Sequence, residues 1–209
     1  MSELKTTGDA KAKLTKDVVL DAAFTIIFED GLTGFRLKRL AAELGMTIPN
    51  LYRYFDDRTH LIYEACAYGF AKQSRANIDI LRNLAAEEPT VDEAWRVFEI
   101  LYHGALSPFT ARSRKVRFQS MAILSEYPMM RPWLEAEMVQ LHQASRELLS
   151  TFERRGLLAT GVTSDAAAIL FRSMLNGMII LDLGPADAHV DVELLTVLRR
   201  MFFSLFKEL

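Results

Sequence analysis

The sequence predicts an all-α protein of about nine helices, and three observations carry that reading. From Thr15 onward nearly every segment places its apolar residues at helical spacing. No run alternates apolar and polar residues as a half-buried strand would. Glycine and proline punctuate the periodic segments, at Gly31, Gly45, Pro108, Pro128, Gly156, Gly161 and Gly184-Pro185. The 209 residues, half of them hydrophobic, can bury roughly 70% of the unfolded chain's surface, so folding requires no disulfide or metal. With Cys66 as the single cysteine, an internal disulfide and a four-thiolate zinc site are excluded.

Residues 1–14 are polar and aperiodic, which predicts a mobile arm. Helix one is expected over about 16–30. Val19, Ala22, Ala23 and Ile26 form its apolar face, Thr15 is placed to cap it, and Gly31 ends it. Helix two spans about 36–44, with Leu37, Leu40, Ala41 and Leu44 on one face and Gly45 at a left-handed stop. Helix three is short, about 48–54. Pro49 must lie in its first turn, with Thr47 or Ile48 as cap. Asp56 or Asp57 caps a long fourth helix that runs to about Leu84. Five more are expected at roughly 91–106, 110–126, 130–154, 163–182 and 190–207.

Composition narrows the partners. The longest stretch without a charged residue, Ile100–Ala111, is twelve residues, well short of the ~20 that a membrane span requires. The N-terminus has no apolar signal core, which places the chain in the cytoplasm. Net charge is −2, so the chain is not basic throughout. Residues 31–58 nevertheless hold Arg36, Lys38, Arg39, Arg53 and Arg58 against Glu43, Asp56 and Asp57.

That basic segment contains a helix-turn-helix. Two short helices are joined by the Gly45-Met46-Thr47 turn, with a supporting helix before them. Ala41 is small where the two must approach, and Leu40, Leu44, Leu51 and Phe55 supply the shared core. Pro49, Asn50, Arg53 and Tyr54 are then left to face outward. A short helix held rigidly with its polar face outward suits reading of the DNA major groove.

The run from Gly31 to Ala65 resembles the DNA-binding domain of TetR-type transcriptional regulators. The resemblance rests on Gly31, Ala41-Ala42, Gly45-Met46-Thr47, Leu51-Tyr52-Arg53-Tyr54-Phe55 and Arg58, and extends over about Leu14–Ala65. Phe35 and Arg36 stand where the family usually has hydroxyl residues, and Ile48-Pro49 where it often has Lys-Gly. The resemblance implies phosphate contacts from Arg36, Thr47, Tyr52, Tyr54 and Arg58, with the N-terminus of helix four adding its dipole. It implies base-edge contacts from Ile48, Pro49, Asn50 and Arg53. Asn50 suits an adenine, Arg53 a guanine and Ile48 a thymine methyl.

The expected organisation is an arm at 1–14, a DNA-binding domain at 15–60 and a ligand-binding and dimerisation domain at 61–209. The last two helices are apolar on more than one face and therefore need a second partner. Ala166, Ser173 and Gly177 form a line of small residues. Together with Leu198 and Phe202 they are the expected homodimer interface, in line with the dimer that the resemblance implies. Phe98, Tyr102, Phe118, Met121, Met174 and Met178 are candidate walls of an effector pocket, with His103 and Gln119 orienting the ligand.

A neutral, lipophilic or aromatic effector is expected. The spacing of Arg112, Arg114 and Lys115 spreads them over two faces, which reads as solvated surface. The alternative is an acidic acyl-thioester held by the Arg112, Arg114, Lys115 and Arg117 cluster. No nucleophile turn, phosphate loop or zinc motif is present, so no enzyme, metal or cofactor is expected. The whole reading is a dimeric, ligand-responsive regulator, a repressor that binds a double-stranded operator.

Overall fold

The computed structural model describes residues 15–106, 110–183 and 192–207. The expected N-terminal arm and the turns at Pro108 and Gly184-Pro185 lie outside them. Among the described residues the chain is helical from end to end: α1 Lys16–Gly34, α2 Leu37–Glu43, α3 Ile48–Leu51, α4 Arg58–Ala86, α5 Val91–Leu106, α6 Ala111–Glu126, α7 Arg131–Arg154, α8 Ser164–Gly177 and α9 Val192–Phe203. A 3-10 helix, Met178–Leu183, continues from α8. The sole β-type pairing among these residues is an isolated bridge between Leu158 and Phe206.

Local chemistry accounts for most of the boundaries. Thr15 accepts the Val18 N–H and opens α1. Gly31 breaks that helix with φ 76°, and one further turn follows to Gly34. Asp57, rather than Asp56, caps α4 by accepting the His60 N–H at 2.8 Å. Two ends differ from expectation. The helix predicted to run to 182 tightens to 3-10 geometry after Gly177. The last helix stops at Phe203 because the tail folds back, with Lys207 N–H donating to Leu157 O and Ala159 N–H to Leu205 O, both at 2.9 Å.

The long α4 is the axis of the molecule, packed on α1, α6 and α7. Its first half contributes Leu61, Ala65, Cys66 and Phe70 to one core with Val19, Ile26, Leu40 and Leu51, closed from the other side by Val116, Leu124 and Leu134. A second core joins α5, the end of α7, α8 and α9 around Trp95, Phe98, Phe152, Phe171 and Phe202. The first core therefore passes through position 60, where the domain boundary was expected, and continues three turns into α4.

Candidate DNA-binding surface and ligand cavity

The α2–α3 turn is built by a few residues with fixed roles. Leu40 and Ala41 are buried, and Gly45 takes φ 60°, which lets Met46 N–H reach Ala41 O at 2.8 Å. Thr47 is extended and starts α3, with Pro49 in the first turn. Only Ile48–Leu51 is regular helix. Hydrogen bonds from Arg53 N–H to Asn50 O and from Tyr54 N–H to Leu51 O carry the chain on as turns to Phe55. Leu51 and Phe55 are buried and anchor the unit. Thr47, Pro49, Asn50, Tyr52 and Arg53 are exposed, while Ile48 and Tyr54 are half-buried against the core.

The charges around this face are unequally available. Arg39 is tied to Glu29, to Asp30 at 2.5 Å and to Glu43 at 2.8 Å, and these hydrogen bonds, Asp30 first, raise its pKa further. Arg36 Nη1 donates to Thr33 O at 2.7 Å and to Phe35 O at 3.0 Å. Arg58 Nη2 donates to the same Phe35 carbonyl at 3.1 Å and lies over the Phe35 ring. Phe35, fully buried, is thus clamped by two guanidiniums at the entry to α2.

The second feature is a cavity of about 570 Å³ between α4, α5, α6, α7, α8 and α9. Its walls are chiefly apolar, with Phe98, Leu149, Phe171 and Leu175 among them, and the exposed Ile100 also borders it. Three arginines face it, and no acidic side chain does among the described residues. Arg114 is neutralised by Asp182, Nη2 to Oδ1 at 2.5 Å and Nε to Oδ2 at 2.7 Å. Arg117 lies 4.3 Å from the centre of the Phe70 ring, and burial, then the charge of Arg172, lowers its pKa to about 10. Arg172 is also lowered by burial; its Nε is buried without a partner and its Nη2 reaches Met138 Sδ at 3.9 Å.

Residues 19–65, which hold the whole helix-turn-helix, match the family described as bacterial regulatory proteins, tetR family. The likeness to that family is carried by this segment of the chain. No curated protein matches the sequence. Solved structures match nearly the whole chain at low identity. A candidate transcriptional regulator from Saccharomonospora viridis, in complex with choline, is 16% identical over 91% of this chain and 96% of that one, with a TM-score of 0.69. FadR from Bacillus subtilis, in complex with stearoyl-CoA, is 15% identical over 89% and 96%, with a TM-score of 0.63. SmeT, the repressor of the Stenotrophomonas maltophilia efflux pump SmeDEF, is 17% identical over 95% and 93%, with a TM-score of 0.63. The all-α TetR fold therefore extends beyond the matched segment. No described helix is long and apolar enough to cross a membrane.

Against this TetR-type frame the expected ligand residues are largely displaced. Phe98 lines the cavity. Tyr102 is fully buried beside it, ring centres 4.3 Å apart, with its hydroxyl lacking a partner. Phe118 and His103 are exposed, and Gln119, Met174 and Met178 are partly buried but not in the lining. Met121 packs on the first core instead. The polar lining comes from Gln73, Asn77 and Asn176. Arg112 and Lys115 are exposed as read from spacing, but Arg114 and Arg117 face inward, which corrects the picture of a solvated cluster.

The interface residues divide similarly. Ala166 and Ser173 are exposed and Gly177 half-buried, on one helical stripe with the exposed Ile169, Leu170 and Ile180. Leu198 and Phe202 are each 3% exposed and belong to the chain's own core, so neither offers an outward face; on α9 Val197 and Met201 do. On α7, Glu135 pairs with Arg131 and His142 with Asp165 of α8. Cys66 is buried, and burial pushes its thiol up to about 11.

Proposed function

We propose that the chain is a dimeric DNA-binding transcriptional regulator, acting as a repressor that leaves its operator when a small molecule fills the cavity. The observation that carries this reading is the exposed face of α3 within a segment that matches the tetR family. Ile48, Pro49, Asn50 and Arg53 would meet base edges, and Arg36, Thr47, Tyr52, Tyr54 and Arg58 the phosphates. The two guanidiniums would exchange or share their Phe35 carbonyl contact with phosphate oxygens.

Two copies would dock about one helical turn of DNA apart, joined through the α8 stripe and the outward side of α9. The ligand-binding and dimerisation part would take in everything after the first turn of α4. The contact of Arg117 with Phe70 links the cavity to the core that carries α1–α3. A ligand that moves Arg117 would shift α4 and so the spacing of the two α3 helices. Release requires tighter binding to the DNA-incompetent state, since equal affinity shifts nothing.

The test is a gel shift on genomic fragments that include the promoter of the chain's own gene. The expected result is one fragment retained at moderate salt and lost with Tyr52→Ala. Failure to retain any fragment at low salt overturns the reading.

A further inference from the structure

We infer that the cavity takes an anionic amphiphile, its carboxylate held between Arg117 and Arg172 and its apolar body lying among Phe98, Phe171 and Leu175. The inference rests on the reading of the cavity as the effector site and supplies the ligand class. Three observations carry it. No carboxylate among the described residues pairs with Arg117 or Arg172, whereas neighbouring Arg114 is closed by Asp182. Arg172 Nε is buried and without a partner, a cost that a small turn of the guanidinium toward a ligand oxygen would remove. Among the described residues the lining holds two positive charges without an ion-pair partner and no negative one.

The electrostatics select the sign of the ligand. Two guanidiniums at one apolar wall have lost much of their hydration and repel each other, and both effects lower the pKa of Arg117. A carboxylate supplies two acceptor oxygens to such donors and removes the repulsion. A neutral ligand would leave both charges as they are, and a cationic one would find no carboxylate among the described lining residues. The remaining walls suit an aliphatic or aromatic body, within the volume range of small-molecule sites.

The test is calorimetric titration of the full chain with decanoate, 1-decanol, decyltrimethylammonium and decanoyl-CoA. Decanoate is expected to bind at least tenfold more tightly than decanol and the cation. Arg117→Gln and Arg172→Gln should each remove that advantage while leaving decanol binding unchanged, which shows the cavity intact. Leu175→Trp should abolish binding of all of them. Decanoyl-CoA bound more tightly than decanoate, with its affinity insensitive to both arginine variants, overturns the buried carboxylate in favour of an outer polyanionic head. Equal affinity for decanol and decanoate overturns the anion inference and leaves the cavity reading standing. Absence of binding by every compound, or binding indifferent to Leu175→Trp, overturns both.

Discussion

The Phe24 ring of α1 lies against the α4 backbone at Gly69, so close that a Cβ there would overlap ring atoms Cδ2, Cε2 and Cζ. With the ring where it stands, space rather than backbone conformation calls for glycine here, since the residue sits inside a regular helix. The contact sets how closely the helix that supports α2 and α3 approaches the axis of the molecule.

Gly69→Ala should therefore push α1 outward. Overpacking of this kind costs ~1–3 kcal/mol, and the displacement should lower operator affinity beyond the loss of stability. Chemical denaturation and DNA titration of the same preparation separate the two. Unchanged values in both would show that Phe24 swings away freely.

Gly177 gives a clean probe of the proposed interface. A Cβ placed there meets nothing within 4 Å among the described residues of its own chain. Gly177→Arg should leave the monomer folded by circular dichroism while burying an unpaired charge in the dimer, at a cost of about 3–5 kcal/mol. Sedimentation should then show monomer. An unchanged dimer would place the interface away from the α8 stripe.

Arg117 makes a prediction about stability with a definite sign. Its folded pKa, about 10, lies below the ordinary arginine value, so folding disfavours its charged form. Between those two values the unfolded chain binds more protons, and stability rises with pH there. At pH 7 both states are charged and the whole penalty is present. Arg117→Met should raise unliganded stability by on the order of 1–2 kcal/mol, the relieved charge outweighing the lost stacking on Phe70. A lower denaturation midpoint would mean that the stacking dominates.

Cys66 should behave as a core thiol. With its pKa near 11 and no exposure, it carries almost no thiolate at pH 8. Reaction with a disulfide reagent should proceed at the rate of unfolding and accelerate with denaturant. Rapid native-state labelling would contradict the packing of α4 on α6.

The helix-turn-helix was legible because its signals are local. Gly45, Pro49, Leu51 and Phe55 lie within eleven consecutive residues, and each fixes the backbone or core through neighbours in sequence. The cavity was not legible, because its walls come from six helices whose facing sides are set by contacts far apart in the chain. On α6 the apolar and charged residues are scattered round the helix, so spacing could not tell that Arg117 turns inward and Phe118 outward. On α9 there are apolar residues enough for two faces, and only the packing of Trp95 and Phe171 on Phe202 shows which one is internal. Unpaired Arg172 inside an apolar helix was the available signal for a charged cavity.

The most direct test of the account is selection of duplexes from a random library by the full chain, followed by anisotropy titration of the selected site. A near-palindromic site with half-sites about 34–36 Å apart is expected. Affinity should fall steeply with salt. Asn50→Ala should relax preference at one position in each half-site by ~1–3 kcal/mol, and Tyr52→Ala should weaken binding to all sequences alike. Enrichment of no sequence over the starting library, or enriched sites indifferent to both substitutions, would contradict it.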